Sequence, residues 1–243
     1  MFQKPELWQI PQIETDLYAT LPEKVEQLAE RLRHIAQHYR NAKFASSLAV
    51  EDMVITDVIA QVAPDIRIFT LETGRLNKET EALIEQVQQH YPTLTFELYR
   101  PNAEQAQQYD EQQGRYAFYE SVELRRQCCF IRKIEPLNRA LQGADAWISG
   151  QRREQSVTRS ELPLFERDEV RAMDKFNPIF DWSEREVWAY ILKHQVPYNS
   201  LYQQGYPSIG CDPCTRPIKR SEDIRAGRWW WENRDNKECG LHK

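Results

Sequence analysis

The sequence predicts an α/β fold in which a mostly parallel sheet is flanked by helices. Three apolar segments, at residues 66–71, 94–99 and 144–149, have the length and composition of buried strands. Helical patterns separate these segments, and strands that alternate with helices are typical of parallel βαβ units. No repeat or linker-like segment interrupts the pattern, so we expect a single domain over residues 1–243.

The first element in chain order is a helix that begins near Pro22. Proline in the first turn, followed by the acidic Glu23, suits the start of a helix. Apolar side chains then recur at steps of three and four residues over 25–39, which indicates one buried face. We interpret residues 1–40 as an N-terminal helical extension of the domain.

A short apolar segment at 44–47 comes next and leads into a second helical pattern. Residues 77–91 are predicted as a helix between the strands 66–71 and 94–99, and a polar, glutamine-rich helical stretch follows. From about Leu162 the alternation fades into one more helix and an irregular, tryptophan-rich tail. In parallel sheets ligands bind beyond the carboxyl ends of the strands. Three loops are therefore candidate binding segments: 46–52, 72–76 and 150–159.

Composition excludes several classes of protein. The chain has 32 Lys and Arg against 37 Asp and Glu, for a formal charge of -5. This balance argues against a general binder of nucleic acids or anionic membranes, which would need a basic surface. No apolar run approaches the roughly 20 residues of a membrane span, and the amino terminus lacks the pattern of a signal peptide. We therefore expect a soluble, cytoplasmic protein.

The charge is distributed unevenly along the chain. Residues 215–243 carry eight Lys and Arg against five acids, so the tail is basic while the rest of the chain is acidic. A basic tail on an acidic body suggests a site for an anionic small molecule rather than a polyanionic partner. A solvated tail that rests on an acidic surface explains the charge pattern equally well.

Four of the five cysteines form two pairs in the sequence. Cys128 and Cys129 are adjacent, and Cys211 and Cys214 have the C-x-x-C spacing that lets two thiolates bind one metal centre. Together the pairs supply four thiolates, which suits tetrahedral zinc or an iron–sulfur cluster. Four buried cysteines without a metal are the alternative, since unligated cysteine is often buried.

The fifth cysteine, Cys239, lies near the carboxyl end, between Lys237 and His242. A thiol close to cations on a tail that can move is a candidate nucleophile, because nearby positive charge lowers the thiol pKa. We therefore interpret residues 215–243 as a mobile catalytic tail. An inert, exposed terminal cysteine fits the same residues.

The cysteines occur together with four other segments in an order that resembles one enzyme family. The chain resembles the assimilatory adenylyl-sulfate reductases, the iron–sulfur branch of the phosphoadenylyl-sulfate (PAPS) reductase family, from about residue 40 to the end. This resemblance implies a fold of the adenine-nucleotide-hydrolase type, related to PP-loop ATPases. Besides the cysteines and the terminal Lys-Glu-Cys-Gly-Leu-His, it rests on the segments 46–52, 72–76, 150–159 and 224–231.

The resemblance also implies a reaction. It assigns a [4Fe-4S] cluster to Cys128, Cys129, Cys211 and Cys214, and it assigns the nucleophile to Cys239. In the family, a thiolate attacks the sulfur of adenosine 5′-phosphosulfate (APS), expels AMP and becomes an S-sulfocysteine. A thiol of thioredoxin, or of glutaredoxin, then liberates sulfite for sulfate assimilation and cysteine biosynthesis. A homo-oligomer is compatible with this assignment.

Residues of the matching segments are assigned to substrate binding by the same resemblance. Hydroxyl groups at the first loop would bind phosphate, the second loop would pass beside adenine, and guanidinium groups fit phosphate and sulfate oxygens. A lysine one helical turn after the cysteine pair would lie between cluster and substrate. The assigned residues are Ser46, Ser47, Leu71, Thr73, Gly74, Lys133, Gly150, Arg152, Arg153, Arg159, Arg225, Arg228 and His242.

Plain structural roles compete with several of these assignments. Ser46 and Ser47 follow a strand, where polar residues are usual, and arginine-rich loops are commonly paired with neighbouring acids. Glu51 and Asp52 begin a helix, where acids favour the helix dipole, so capping could explain them entirely. Without the resemblance, Lys133 is an ordinary surface lysine.

Other functions compete with APS reduction as interpretations of the sequence. The first loop, 43–52, has one lysine and two acids, which leaves little to neutralise a 3′-phosphate and favours APS over PAPS. A PAPS reductase or an enzyme that accepts both substrates is the nearest alternative. A PP-loop ATPase or tRNA-thiolating enzyme would need a glycine-rich first loop, which is absent here. A non-catalytic module with structural zinc is a further alternative, but it would give Cys239 no function.

Overall fold

The computed structural model describes residues 6–155 and 159–233. Six strands form one sheet. In chain order they are β1 (Ala42–Ala45), β2 (Arg67–Leu71), β3 (Phe96–Tyr99), β4 (Ala146–Ile148), β5 (Phe165–Asp168) and β6 (Met173–Phe176). The α-helices of the described ranges are α1 (Leu17–His38), α2 (Val50–Val62), α3 (Lys78–His90), α4 (Ala103–Gln113), α5 (Val122–Cys129), α6 (Glu135–Ala140) and α7 (Glu184–His194).

The strand order is β3-β2-β1-β4-β6-β5, and every neighbouring pair is parallel except β5 with β6. The predicted α/β class with a mostly parallel sheet is therefore confirmed. The three strands predicted from apolar segments are present, and the apolar segment at 44–47 contributes the end of β1. No helix of the described ranges is long and apolar enough to cross a membrane.

Side chains of each central strand alternate between two apolar layers, as the strand repeat of two requires. Ile68 of β2 and Ile148 of β4 point into the larger cluster, which also contains buried residues of α1, α2 and α7. Phe69 and Trp147, their neighbours along the chain, pack with α6 on the opposite face. Both faces of the sheet are thus covered, which explains why the central strands are mostly apolar.

Helix α1 begins before the predicted position. It starts at Leu17, whose amide donates to the side chain of Asp16, and Pro22 lies inside the helix. As the sixth helical residue, Pro22 has no amide to donate to the carbonyl of Tyr18, so α1 forgoes one hydrogen bond of its ladder there. Leu28 and Leu32 are completely buried in the same core as the sheet.

The hairpin β5–β6 is a feature that the sequence pattern did not indicate. Its strands are short and contain charged residues, so the apolar signal of a strand is weak there. Lys175 of β6 is nevertheless buried, because its ammonium group pairs with Glu166 at 2.8 Å and donates to Gln151 at 2.9 Å. Ion pairing across the hairpin therefore replaces the apolar side chain that a buried strand position usually has.

The tail is irregular as far as the structure describes it, which is to Asn233. Its first part lies against the body: the amide of Trp8 donates to the carbonyl of Ile218, and Leu7 forms an antiparallel bridge with Lys219. The mobility predicted for the tail stays a prediction, and Cys239 and His242 lie outside the described residues.

We expect Leu32→Ala to lower the free energy of unfolding by about 2–5 kcal/mol, because the truncation leaves a cavity in the core beneath α1. Urea denaturation followed by circular dichroism measures this loss. Glu30→Ala, at an exposed position of the same helix, is the matched control and should change stability by less than about 0.5 kcal/mol. Equal, small effects of both variants would contradict the placement of α1 in the core.

Candidate active site

A cavity of about 260 Å³ opens at the carboxyl ends of the central strands β1, β2 and β4. Its lining includes residues from all three loops that the sequence singled out, together with residues 207–211 and part of the tail. This is the edge at which open parallel sheets bind ligands. The position of the predicted binding loops on one cavity therefore agrees with the expectation from the strand pattern.

The first loop, residues 46–49, is shaped by its own hydrogen bonds. The amide of Leu48 donates to Ser46 Oγ at 3.2 Å, while the amide and hydroxyl of Ser47 donate to Asp52 Oδ2 at 2.5 and 2.7 Å. Leu48 has a φ of 61°, a left-handed conformation that costs energy for a residue with a side chain. The hydrogen bonds of Ser46 and Ser47 thus stabilise a left-handed turn at Leu48, a conformation in which glycine is the usual residue.

The acids at the start of α2 have tertiary partners. Glu51 Oε1 accepts from Arg152 Nε at 3.1 Å and Nη2 at 2.7 Å. Asp52 is 4 % exposed and lies so close to Gly150 that a Cβ there would be 1.9 Å from Asp52 Oδ1. Capping of α2, the alternative considered from the sequence, therefore does not account for these two carboxylates.

Asp52 has an unusual proton affinity for an aspartate. Burial disfavours its charged form and raises its pKa to about 7, although the hydrogen bonds from Ser47 act in the opposite direction. The negative charge of Glu51 adds to the increase. A carboxyl group in the wall of this cavity is therefore close to half-protonated near neutral pH.

The three arginines that follow β4 have different surroundings. Arg152 is buried and lines the cavity, but its guanidinium is bound to Glu51 and to the carbonyl of Trp182 at 3.2 Å. Arg159 lines the cavity and donates to Gln155. Arg153 does not line it; its guanidinium donates to the carbonyl of Leu162 at 2.9 Å and lies over Phe180.

The second loop connects the cavity to the cysteines. Leu71 and Thr73 line the cavity, and Thr73 Oγ1 lies 3.3 Å from Cys211 Sγ. Gly74 does not line the cavity; it turns the chain with a φ of 68°, and its amide donates to Glu72 Oε1 at 2.6 Å. Of the residues assigned to the second loop, Leu71 and Thr73 therefore face the cavity.

Tail residues form part of the cavity wall. Arg225 and Arg228 both line it. Arg228 donates to the carbonyl of Ile209 at 3.0 Å, and its guanidinium lies 4.8 Å from the ring centre of Trp229. A Cβ at position 210 would be 2.3 Å from Arg228 Nη2, so Gly210 leaves room for this guanidinium. The two tail arginines and the Ser46–Ser47 loop thus face the same space.

The two cysteine pairs line a second, smaller cavity. Cys128 and Cys129 end α5 and are buried, as is Cys211, while Cys214 is partly exposed. A turn of π-helix, Phe130–Ile134, continues directly from α5 and contains Lys133. Such wider turns are frequent at functional sites. Lys133, Cys211 and Trp229 line both cavities, so the two share a wall.

Cations surround the thiols and shift their proton affinities. Burial raises the pKa of Cys211, but the ammonium of Lys133, the hydroxyl of Thr73 and Arg228 outweigh it, so the net pKa is lowered. For Cys128 burial prevails over the nearby guanidinium groups and the pKa is raised. Thiolate is therefore favoured more at Cys211 than at Cys128.

Three arginines of the cysteine cavity were missed by the sequence reasoning. Arg125 pairs with Glu232 at 2.8 Å, with both side chains buried. Arg75 and Arg132 share the carboxylate of Asp110, at 2.7 and 3.1 Å. Helical spacing could have indicated two of them, since Arg125 and Arg132 lie one turn before and after the cysteine pair. Arg75 approaches from another loop and carried no such signal.

The metal assignment receives only partial structural support. In the described ranges, no group of three or more His, Cys, Asp or Glu side chains is arranged to hold a metal ion. The four cysteines nonetheless line one cavity together with the cations Arg75, Arg125, Arg132 and Lys133. The ligand set predicted for the cluster is therefore brought together, whereas a cluster on it stays a prediction.

Comparison with known proteins places this site in a family. Residues 41–217 match the phosphoadenosine phosphosulfate reductase domain. The chain is 61% identical over 240 residues to the adenosine 5′-phosphosulfate reductase of Neisseria meningitidis serogroup A, covering 99% of this chain and 98% of that protein.

Solved structures support the same placement. The phosphoadenylyl-sulfate reductase of Candida auris superposes with a TM-score of 0.69 at 27% identity, covering 86% of this chain and all of that one. The FMN adenylyltransferase of Candida glabrata, at 13% identity and a TM-score of 0.59, covers 96% and 82% and shares the fold alone. The predicted fold type is thereby confirmed, and the chain belongs to the phosphoadenosine phosphosulfate reductase family.

Proposed function

We propose that this chain reduces adenosine 5′-phosphosulfate to sulfite and AMP, with a protein dithiol as reductant, in sulfate assimilation. The observation that carries the proposal is the shared wall of the two cavities. An anion-binding cavity at the sheet edge meets the four-cysteine cavity at Lys133, Cys211 and Trp229. The 61% identity to an enzyme named for this activity supports the choice of substrate.

The first half of the reaction is a thiolate attack. The thiolate of Cys239 forms a bond to the sulfate sulfur, and the bond from that sulfur to the bridging phosphate oxygen breaks. AMP leaves with the electron pair, and Cys239 carries an S-sulfonate. Both reactants are anionic, so their approach depends on cations that neutralise them.

The second half releases sulfite and restores the enzyme. A thiolate of the reductant attacks Cys239 Sγ, the bond between the two sulfur atoms of the S-sulfocysteine breaks, and sulfite departs with the electron pair. The second thiol of the reductant then resolves the mixed disulfide and returns Cys239 as a thiol. The dithiol loses two electrons and the sulfate sulfur gains them. Thioredoxin or glutaredoxin is the proposed donor, and a cytoplasmic location fits such a partner.

Different residues of the cavity wall are assigned to different parts of the substrate. We assign phosphate and sulfate oxygens to Lys133, Arg159, Arg225 and Arg228, which line the cavity from different elements. The hydroxyl group of Ser46 faces the same ligand from the first loop, whereas Ser47 donates its one hydroxyl proton to Asp52 and acts by shaping that loop. Leu71 and Thr73 border the place of the adenine. Gly150 admits the close approach of Asp52. Arg152 supports the site by its ion pair with Glu51, and Arg153 contributes no lining.

The cysteine cavity fits an iron–sulfur cluster by the chemistry of its donors. It offers four thiols, and its other charged lining groups are cations, which suits an anionic thiolate cluster. In a four-iron cluster each thiolate binds a different iron, so the ligands lie farther apart than those of one metal ion. We assign a [4Fe-4S] cluster to Cys128, Cys129, Cys211 and Cys214; when bound, it would cross-link α5 to the Cys211–Cys214 turn.

Protein purified without oxygen should be brown and should contain about four iron and four sulfide per chain. Cys214→Ser should lose most of the iron, because it removes a ligand, whereas Cys239→Ser should retain it. Metal analysis and visible absorbance measure both outcomes. Stoichiometric zinc in place of iron, or equal iron loss in both variants, would sink the assignment.

Cys239→Ser should abolish sulfite release while AMP binding stays nearly unchanged, because it removes the nucleophile and no cluster ligand. Incubating wild type with substrate but no thiol should add one sulfonate to the peptide that contains Cys239, as seen by mass spectrometry. An adduct on another cysteine, or turnover by the serine variant, would show the covalent mechanism to be wrong.

The enzyme should prefer APS over its 3′-phosphorylated form by about tenfold or more in kcat/KM. Lys43, the one cation of the segment 43–52, lies in β1, is buried and donates to the carbonyl of Ala140 at 2.5 Å, so it does not line the cavity. Steady-state rates with the two substrates measure the ratio. Equal values, or a preference for the phosphorylated form, would reverse the choice of substrate.

A further inference from the structure

Asp52 lies in the wall of the nucleotide cavity, yet no step of the proposed reaction uses it. Its Oδ2 accepts both the backbone amide and the hydroxyl of Ser47, at 2.5 and 2.7 Å. Within the first loop, Ser47 Oγ also lies 3.4 Å from the amide of Ala49. The carboxyl group is therefore the contact that joins the first loop to the first turn of α2.

The other carboxyl oxygen of Asp52 faces the end of β4. A Cβ at Gly150 would lie 1.9 Å from Oδ1 and 3.1 Å from Cγ, so the backbone of the third loop is in contact with this group. Asp52 thus touches the loop after β1 and the loop after β4 at once. Since Leu48 holds a left-handed conformation without the freedom of glycine, this loop needs such external support.

The charged and titratable groups around Asp52 influence whether its carboxyl group is ionised. Glu51, its neighbour on α2, is paired with Arg152 from the third loop, and that guanidinium also lies 3.5 Å from Glu154. Tyr202, from residues 200–204, accepts from the amide of Val50 and stays a phenol because burial raises its pKa. The cavity is also lined by the cations Lys133, Arg159, Arg225 and Arg228, none of which shifts the pKa of Asp52.

The described groups that shift the proton affinity of Asp52 are Ser47 and Glu51, and neither is a cation. Burial raises its pKa to about 7, so the proton is retained at acidic pH and lost above neutrality. An ionised carboxylate here would repel the phosphate of a nucleotide in the same cavity. The hydrogen bonds from Ser47, by contrast, need only an acceptor oxygen, which the protonated form still provides at Oδ2.

We propose that Asp52 is a positioning residue that holds the Ser46–Ala49 loop in its nucleotide-binding shape as a hydrogen-bond acceptor and not as a charge. This assignment rests on the proposed function, because it takes the ligand of the loop to be a nucleotide phosphate. An amide can replace such a group, since asparagine keeps one acceptor oxygen and carries no charge. Nucleotide affinity should accordingly decrease as Asp52 loses its proton.

Binding of AMP to the full-length, anaerobically purified protein tests this, by titration calorimetry at pH 5.5 and pH 8.5. Asp52→Ala should weaken binding about tenfold or more at both pH values, because Ser47 loses its acceptor. Asp52→Asn should bind within about twofold of wild type at pH 5.5 and several-fold more tightly than wild type at pH 8.5. The phosphate of AMP itself titrates in this range. The dissociation constant of each variant is therefore compared with that of wild type at the same pH.

Asp57→Asn is the matched control. Asp57 lies on the same helix and accepts from the hydroxyl groups of Tyr91 and Tyr190 at 2.8 and 2.6 Å, but it does not line the cavity. This variant should leave the affinity for AMP within about twofold of wild type at both pH values, whatever it does to stability. A loss of affinity equal to that of Asp52→Ala would mean that any hydrogen-bonded carboxylate of α2 matters, and would overturn the proposal.

Thermal unfolding tests separately whether the carboxyl group of Asp52 is protonated in the folded protein. Because the folded carboxyl binds its proton more tightly than the unfolded chain does, its stabilisation is present at acidic pH and lost as pH rises through about 7. The Tm of Asp52→Asn relative to wild type should therefore increase from pH 5.5 to pH 8.5. A difference that does not change with pH would contradict the assignment.

The two proposals fail in different ways. AMP affinity of Asp52→Ala equal to that of wild type, or of Asp52→Asn as weak as that of Asp52→Ala at pH 5.5, would overturn the role of Asp52. Absence of sulfite release by wild type from APS would count against the proposed function. Should Asp52→Ala fail to fold, the pH-dependent ratio of Asp52→Asn to wild type still decides for or against the role of Asp52.

Discussion

Parallel pairing of β1 with both β2 and β4 brings the loops that follow these strands to one edge of the sheet. The loops after β1 and β4 meet at Asp52 and Gly150, where any side chain at position 150 would overlap the carboxyl group. The first turn of α2 lies between these loops, and its two acids bind one loop each. Asp52 holds Ser47 and Glu51 holds Arg152, so the shape of the cavity follows from one contact that glycine permits.

The second organising feature is how buried charge is paired. Arg125 is paired with Glu232, whereas Arg75 and Arg132 share the single carboxylate of Asp110, so these groups leave one net positive charge at the cysteine cavity. Lys133 adds positive charge where the two cavities meet. The thiols and the anionic substrate therefore share one cationic environment, which stabilises thiolate and phosphate alike.

Arginines that are close in sequence have different functions here because their partners come from other elements. Arg152 is bound to Glu51 of α2 and to the carbonyl of Trp182, so it supports the cavity wall. Arg153 lies over Phe180, outside the cavity, and Arg159 lines it. A sequence motif contains all three arginines without distinguishing them. Only the positions of their partners in the folded chain show which of them line the cavity.

The sequence by itself determined the α/β class, the three binding loops and the two cysteine pairs, because strand periodicity, loop position and thiol spacing are local properties. The tertiary structure decided what depends on distant contacts: that α1 packs into the core, that the charged hairpin β5–β6 joins the sheet, and that Arg75 reaches the cysteines. It also showed that Asp52 is a buried hydrogen-bond acceptor, since a helix-capping acid and a buried acceptor look alike in sequence. Burial and hydrogen-bond partners, which distinguish them, exist only once the loops after β1 and β4 are folded against each other.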